Sequence, residues 1–112
     1  MVKTERNIVV DLREFQIRKH AEWLLATGLV LEVMVFTNER REKAHIGYVL
    51  REDLVELTLD DIRVRKLNQK FAEFAETPLG VGCEQHIMGP RSAINFKNAF
   101  RGNLFTSFVV DP

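Results

Sequence analysis

Three histidines and one cysteine are the side chains best suited to metal or nucleophilic chemistry in this sequence of 112 residues, and their spacing limits what they can do. Cys83 and His86 form a Cys-x-x-His pair. The segment around them reads as a strand, where residues i and i+3 point to opposite faces, so the two do not converge on one ion. His20 and His45 lie far away in sequence with no second ligand near either. A closed zinc site needs four ligands, and no clustered spacing offers them. No metal and no cofactor are therefore expected, and Cys83 reads as a small buried hydrophobe. Asp11 and Glu14 form the one spacing that suggests a carboxylate pair. Asp11 reads as an outer-face strand residue, and Glu14 as the start of a helix, where the dipole favours an acid. There is no Gly-x-Ser-x-Gly elbow, Walker loop, Gly-x-Gly-x-x-Gly or His-Glu-x-x-His motif. Gly80-Val81-Gly82 is too short for a dinucleotide fingerprint, and Gln85 stands where its third glycine belongs.

Two other groups of residues point to binding. His86, Arg91, Lys97 and Arg101 surround a helix expected to be capped by Ser92, and between Val81 and Val110 three Lys/Arg face one acid, Glu84. Backbone N–H groups at that helix start, with Arg91 beside them, suit a phosphate or carboxylate. The second group is aromatic. Trp23 falls on the polar side of the first predicted helix, beside Gln16, Lys19 and Thr27, and needs cover from another element or a partner. Phe96, Phe100, Phe105 and Phe108 place four of the eight phenylalanines within thirteen residues. Phe105 and Phe108 lie on a charge-free terminal strand, and such a strand at a sheet edge invites pairing with a second copy.

The elements that must carry these residues follow from periodicity. Ile8, Val10 and Leu12 alternate with Val9, Asp11 and Arg13, which predicts a strand. Ile17, Ala21, Leu24, Leu25 and Gly28 share one face of a helix starting near Glu14, with Gly28 as its left-handed stop. The apolar, β-branched run from Leu29 to Thr37 predicts an interior strand. Asn38 to Lys43 is a charged turn, and His45 to Arg51 its hairpin partner. Leu54 to Leu57 reads as more strand. Thr58 is the expected N-cap of a helix to about Glu76, which places Val64, Leu67, Phe71, Phe74 and Ala75 on one face. Val81 to Met88 reads as a strand, Ser92 to Phe100 as a short helix, and Leu104 to Val110 as the final strand. The first six elements give a ferredoxin-like β-α-β-β-α-β sandwich, an α+β fold with two helices on one face of an antiparallel sheet. The last helix and strand form a C-terminal extension that adds a strand at an edge.

Two short segments resemble parts of known families. Ile8-Val9-Val10-Asp11-Leu12-Arg13-Glu14-Phe15 resembles the first strand of XPF-type structure-specific nuclease domains. The Gly-Asp pair and the Glu-Arg-Lys-x-x-x-Asp motif that hold that family's metal are not in the sequence, so nuclease chemistry does not carry over. Ile46-Gly47-Tyr48-Val49 resembles the third strand of RNA-recognition motifs, which stack bases on aromatics. Arg51 and Val9 stand where further stacking rings belong, so Tyr48 is expected to pack across the sheet instead.

Composition bounds what remains. Sixteen Lys+Arg balance sixteen Asp+Glu, and 46% of residues are apolar, which is globular composition in one expected domain, 1–112. The start carries both signs of charge and no apolar h-region, so no signal peptide is expected, and with one cysteine the expected setting is a reducing cytoplasm. No run is long enough for a membrane helix. The leading expectation is a non-catalytic, self-associating interaction or regulatory module, a homodimer, with Trp23, Phe105 and Phe108 at its interface. An anionic ligand or nucleic acid held by His86, Arg91, Lys97 and Arg101 is the alternative, with weak nucleic-acid binding because the net charge is zero. A small dimeric α+β-barrel enzyme using His86, His20 and Asp11 is the third.

Overall fold

A computed structural model describes residues 2–6, 12–38 and 43–110. The described residues form five strands and four α-helices. β1 (Val2–Arg6) precedes α1 (Leu12–Ala26), then come β2 (Val30–Thr37) and β3 (Ala44–Leu50). The short α2 (Glu52–Val55) and long α3 (Ile62–Ala75) lead through a 3-10 turn (Gly80–Gly82) into β4 (Cys83–Met88), and α4 (Pro90–Ala99) returns to β5 (Leu104–Val110). No described helix is long and apolar enough to cross a membrane.

Local chemistry sets most boundaries. Gly28 ends α1 with φ of 75°, a left-handed conformation that costs a residue with a Cβ. The Leu54–Leu57 stretch is not a strand: Arg51 donates two hydrogen bonds to Asp53, at 2.9 and 2.6 Å, and the chain coils there into α2 with Leu54 buried beneath it. Asp61 rather than Thr58 caps α3, accepting from the Arg63 N–H at 2.8 Å, while Thr58 closes the preceding turn by accepting from Asp61 N. α4 starts at Pro90 rather than Ser92, because proline's fixed φ and missing N–H suit the first helical position.

The strands form one mixed sheet in the order β1-β5-β2-β3-β4. β2 is antiparallel to both β3 and β5, β5 is antiparallel to β1, and β3 and β4 run parallel. This departs from the expected ferredoxin-like arrangement in two ways: the sheet is mixed rather than antiparallel, and the terminal strand β5 is interior, bonded on both sides. α4, whose face the sequence left open, lies on the opposite face from α1 and α3. The expected strand Ile8–Leu12 falls largely on residues 7–11, outside the described residues, as do Asp11 and the first half of the segment that resembles a nuclease strand; Leu12 begins α1.

Side-chain alternation divides the sheet into two faces. Val33, Val35, Ile46, Tyr48, Leu50 and Phe108 face α1 and α3 and meet Ile17, Ala21, Leu24, Leu25, Leu67, Phe71 and Phe74 in the main core. Met34, Phe36 and Val49 face α4 and meet Ala93, with Met88, Phe96, Phe100 and Phe105 packed around them. The four clustered phenylalanines therefore split: Phe108 fills the main core, and the other three surround Phe36.

Candidate functional site

The parallel β3–β4 ladder places His45 opposite Glu84 and Gly47 opposite His86. Strand alternation turns Glu84 and His86 to one face, and the ladder brings His45 onto that same face, the one covered by α4. His45 Nδ1 lies 3.3 Å from His86 Nε2. The Glu84 carboxylate is 3.8 Å from His45 Nδ1 and 3.7 Å from His86 Nε2. Three candidate ligand atoms thus converge within 4.8 Å of one another. Both imidazoles are half-buried and Glu84 is exposed.

Phe96 of α4 and Phe100 at its C-cap hold the rings in place. The Phe100 ring lies 4.4 Å from His45 and the Phe96 ring 5.0 Å from His86, centroid to centroid. Phe96 reaches that position because residue 47 is glycine: a Cβ there would come within 2.7 Å of the Phe96 ring. Electrostatics keep the acid ionised. Lys43 Nζ approaches Glu84 to 3.0 Å and, with the two imidazoles, lowers the pKa of the carboxyl. The pKa of His45 is lowered, chiefly by burial, with Glu84 opposing the shift.

Sequence spacing missed this cluster for a definable reason. Cys83 and His86 do point apart, as alternation requires, and Cys83 Sγ contacts Leu79 O at 3.4 Å on the main-core side. The partner of His86 is supplied by a neighbouring strand 41 residues away in sequence. The only local signal was Glu84-x-His86, two ligand types at strand spacing.

A second polar group is buried in the main core. His20 from α1 lies 2.8 Å from the Tyr48 hydroxyl, which donates to Gln85 Oε1 at 2.5 Å, and Gln85 Nε2 donates to Phe71 O at 2.8 Å. Since the Tyr48 proton is committed to Gln85, His20 donates from Nε2–H. Burial, with help from Lys70, pushes the pKa of His20 down to about 4, so the ring is neutral at pH 7. The Tyr48 pKa is raised by burial. Tyr48 is fully buried and stacks at 4.2 Å on Phe71 of α3, so its ring packs against the covering helix.

The other residues singled out from sequence separate. Phe108 is fully buried, so it has no surface for a partner, and Phe105 packs on Phe36 at 4.7 Å. Trp23 is 47% exposed, with Lys70 Nζ 4.5 Å above its ring. The basic residues do not share a site: Arg91, 94% exposed, lies 3.8 Å from Glu52, and Lys97 lies 3.5 Å from Glu32. Arg101 lies in the turn after α4, at the other end from Arg91, and His86 joins His45 and Glu84.

One groove lies at the sheet edge. Leu54, Val55, Leu57, Val64, Leu67, Phe71 and Ile87 line a cleft of about 250 Å3 between α2, α3 and β4. Ile87 is 51% exposed and Val55 49% exposed.

Comparison with known proteins assigns no relative. The chain matches no family model, no curated protein and no solved structure.

Proposed function

We propose that this protein is a self-associating interaction module whose contact surface is the β4 edge and the apolar groove beside it. The observation that carries this reading is the half-exposed Ile87 on an outermost strand, flanked by a groove lined almost wholly with apolar side chains. An edge strand presents unpaired N–H and C=O groups, and proteins guard it with lysine, proline or bulges. The other edge, β1, carries Lys3, Glu5 and Arg6 in five residues; β4 carries Glu84 as its one acid and has no lysine, arginine or proline. The partner is a second copy of the chain. A two-fold axis beside β4 pairs the edge with itself, antiparallel, and brings each Ile87 towards the partner's groove. The zero net charge removes long-range repulsion between copies. Trp23 lies outside this surface, half-covered by Lys70, and Phe105 and Phe108 serve the fold.

Light scattering tests the reading. At micromolar concentration the mass is expected to be about twice the 13.0 kDa of one chain. Ile87→Lys places a charge on the edge and is expected to return the monomer, whereas Ile94→Lys, at an exposed position of α4, keeps the dimer. A wild-type mass of 13.0 kDa across a hundredfold concentration range, or a dimer that survives Ile87→Lys, refutes it.

A further inference from the structure

We propose that His45, Glu84 and His86 form a binding site for one divalent transition-metal ion, zinc by ligand type, with a fourth coordination position left to solvent. The geometry carries the assignment. An ion bonded to nitrogen and oxygen at roughly 2.0–2.1 Å in tetrahedral geometry sets its ligands about 3.3–3.4 Å apart. The two ring nitrogens are 3.3 Å apart; His86 Nε2 lies 3.7 Å from Glu84 Oε1 and His45 Nδ1 3.8 Å from Glu84 Oε2, and with one atom per residue the set lies within 4.8 Å, so a turn of the exposed carboxylate is needed to bring one oxygen to both rings. The ligands project from two hydrogen-bonded parallel strands, a rigid platform that fixes their spacing. The rings are already seated against Phe96 and Phe100, so little side-chain freedom is lost on binding. Coordination through His45 Nδ1 and His86 Nε2 leaves each ring proton on the other nitrogen.

Ligand chemistry selects the class of ion. Two imidazoles and one carboxylate suit zinc and its first-row neighbours, whereas magnesium and calcium take sets composed of oxygen. Three protein ligands leave one position for water, the arrangement of a reactive or exchangeable ion rather than a closed structural one. Lys43 Nζ, on a side chain 59% exposed, pairs at 3.0 Å with Glu84 Oε2, the oxygen that also approaches His45 Nδ1, so an ion at this site shares that oxygen with Lys43 or displaces it. The site lies on the α4 face, and the Ile87 groove lies on the other face, so the two proposals stand independently.

Titration calorimetry of the full chain with zinc chloride, after purification in chelator, tests the site. One equivalent per chain is expected, and millimolar magnesium does not compete. His45→Gln and His86→Gln, at half-buried positions outside the main core, each weaken binding on the order of 100-fold or more, since even outer contacts to metal ligands cost 10- to 100-fold. Glu84→Gln, which keeps shape and removes charge, also weakens it. Cys83→Ser and Ile87→Lys leave it intact. In the wild-type chain, zinc shifts the proton resonances of the His45 and His86 rings and not those of His20, which lies in the opposite core. Absence of stoichiometric zinc, unchanged affinity in any of the three ligand variants, loss in Cys83→Ser or Ile87→Lys, or movement of the His20 resonances alone overturns the proposal.

Discussion

Acidification should destabilise this protein through His20. The ring is buried between α1 and α3, stacked at 4.1 Å on Phe74, and its Nε2–H is spent on Tyr48. Its folded pKa is about 4 against 6.5 for an unperturbed imidazole. Between these values the unfolded chain binds a proton at His20 that the folded chain does not. Unfolding therefore takes up one proton, and stability falls as pH falls, by about 1.4 kcal/mol per pH unit. Over the window from pH 6.5 to pH 4 the loss approaches roughly 3 kcal/mol, a large share of the 5–15 kcal/mol that holds a typical domain together. The assay is urea denaturation at half-unit intervals from pH 4 to 7.5, comparing the wild type with His20→Gln, which retains a donor and cannot ionise. His45, its pKa also lowered by burial, tilts both profiles in the same direction, so the difference between them isolates His20. Asp53, Asp61 and Glu84, held below their usual values by hydrogen bonds from Arg51, Arg63 and Lys43, contribute to both as the pH falls through the carboxylate range. The variant is expected to be less stable at pH 7 and to show a flatter slope between pH 6.5 and 4. Parallel profiles would refute the argument that burial holds His20 neutral.

Tyr48→Phe removes the hydroxyl that joins His20 to Gln85 and leaves a buried donor and a buried acceptor unpaired. At about 1–3 kcal/mol per orphaned group, the variant should lose about 2–6 kcal/mol, and the double variant Tyr48→Phe/Gln85→Leu should lose less than the separate changes sum to, read from urea midpoints. Duplex DNA or RNA at physiological salt is expected to bind too weakly to register by fluorescence anisotropy. Lys97 is paired with Glu32, Arg91 lies beside Glu52, and the net charge of zero provides no steering field; submicromolar binding would refute this.

What the sequence alone determined was local. Gly28 stops α1 because backbone sterics disfavour a Cβ in the left-handed region, and no distant contact enters that argument. The runs 30–37 and 104–110 declare strands by their β-branched and aromatic content, and Ile17, Ala21, Leu24 and Leu25 declare the buried face of α1 by helical period. Alternation also separated Cys83 from His86 correctly, because the two-residue period of a strand belongs to one chain segment. Where competing local signals were close in strength, contacts two residues apart chose Asp61 over Thr58 at the start of α3, and the grip of Arg51 on Asp53, together with the burial of Leu54 in the core, chose a coiled α2 over a strand.

The tertiary structure alone decided which strands are neighbours. Alternation says which side chains share a face, but only long-range burial says which strand lies alongside, and in which direction. The crossover through α2 and α3 sets β4 parallel to β3, and that one pairing brings His45 to His86 and Glu84. The return through α4 inserts β5 between β1 and β2, which buries Phe108 and makes β4, rather than the terminal strand, an exposed edge. Both outcomes depend on contacts between segments tens of residues apart, whose energies no local window contains.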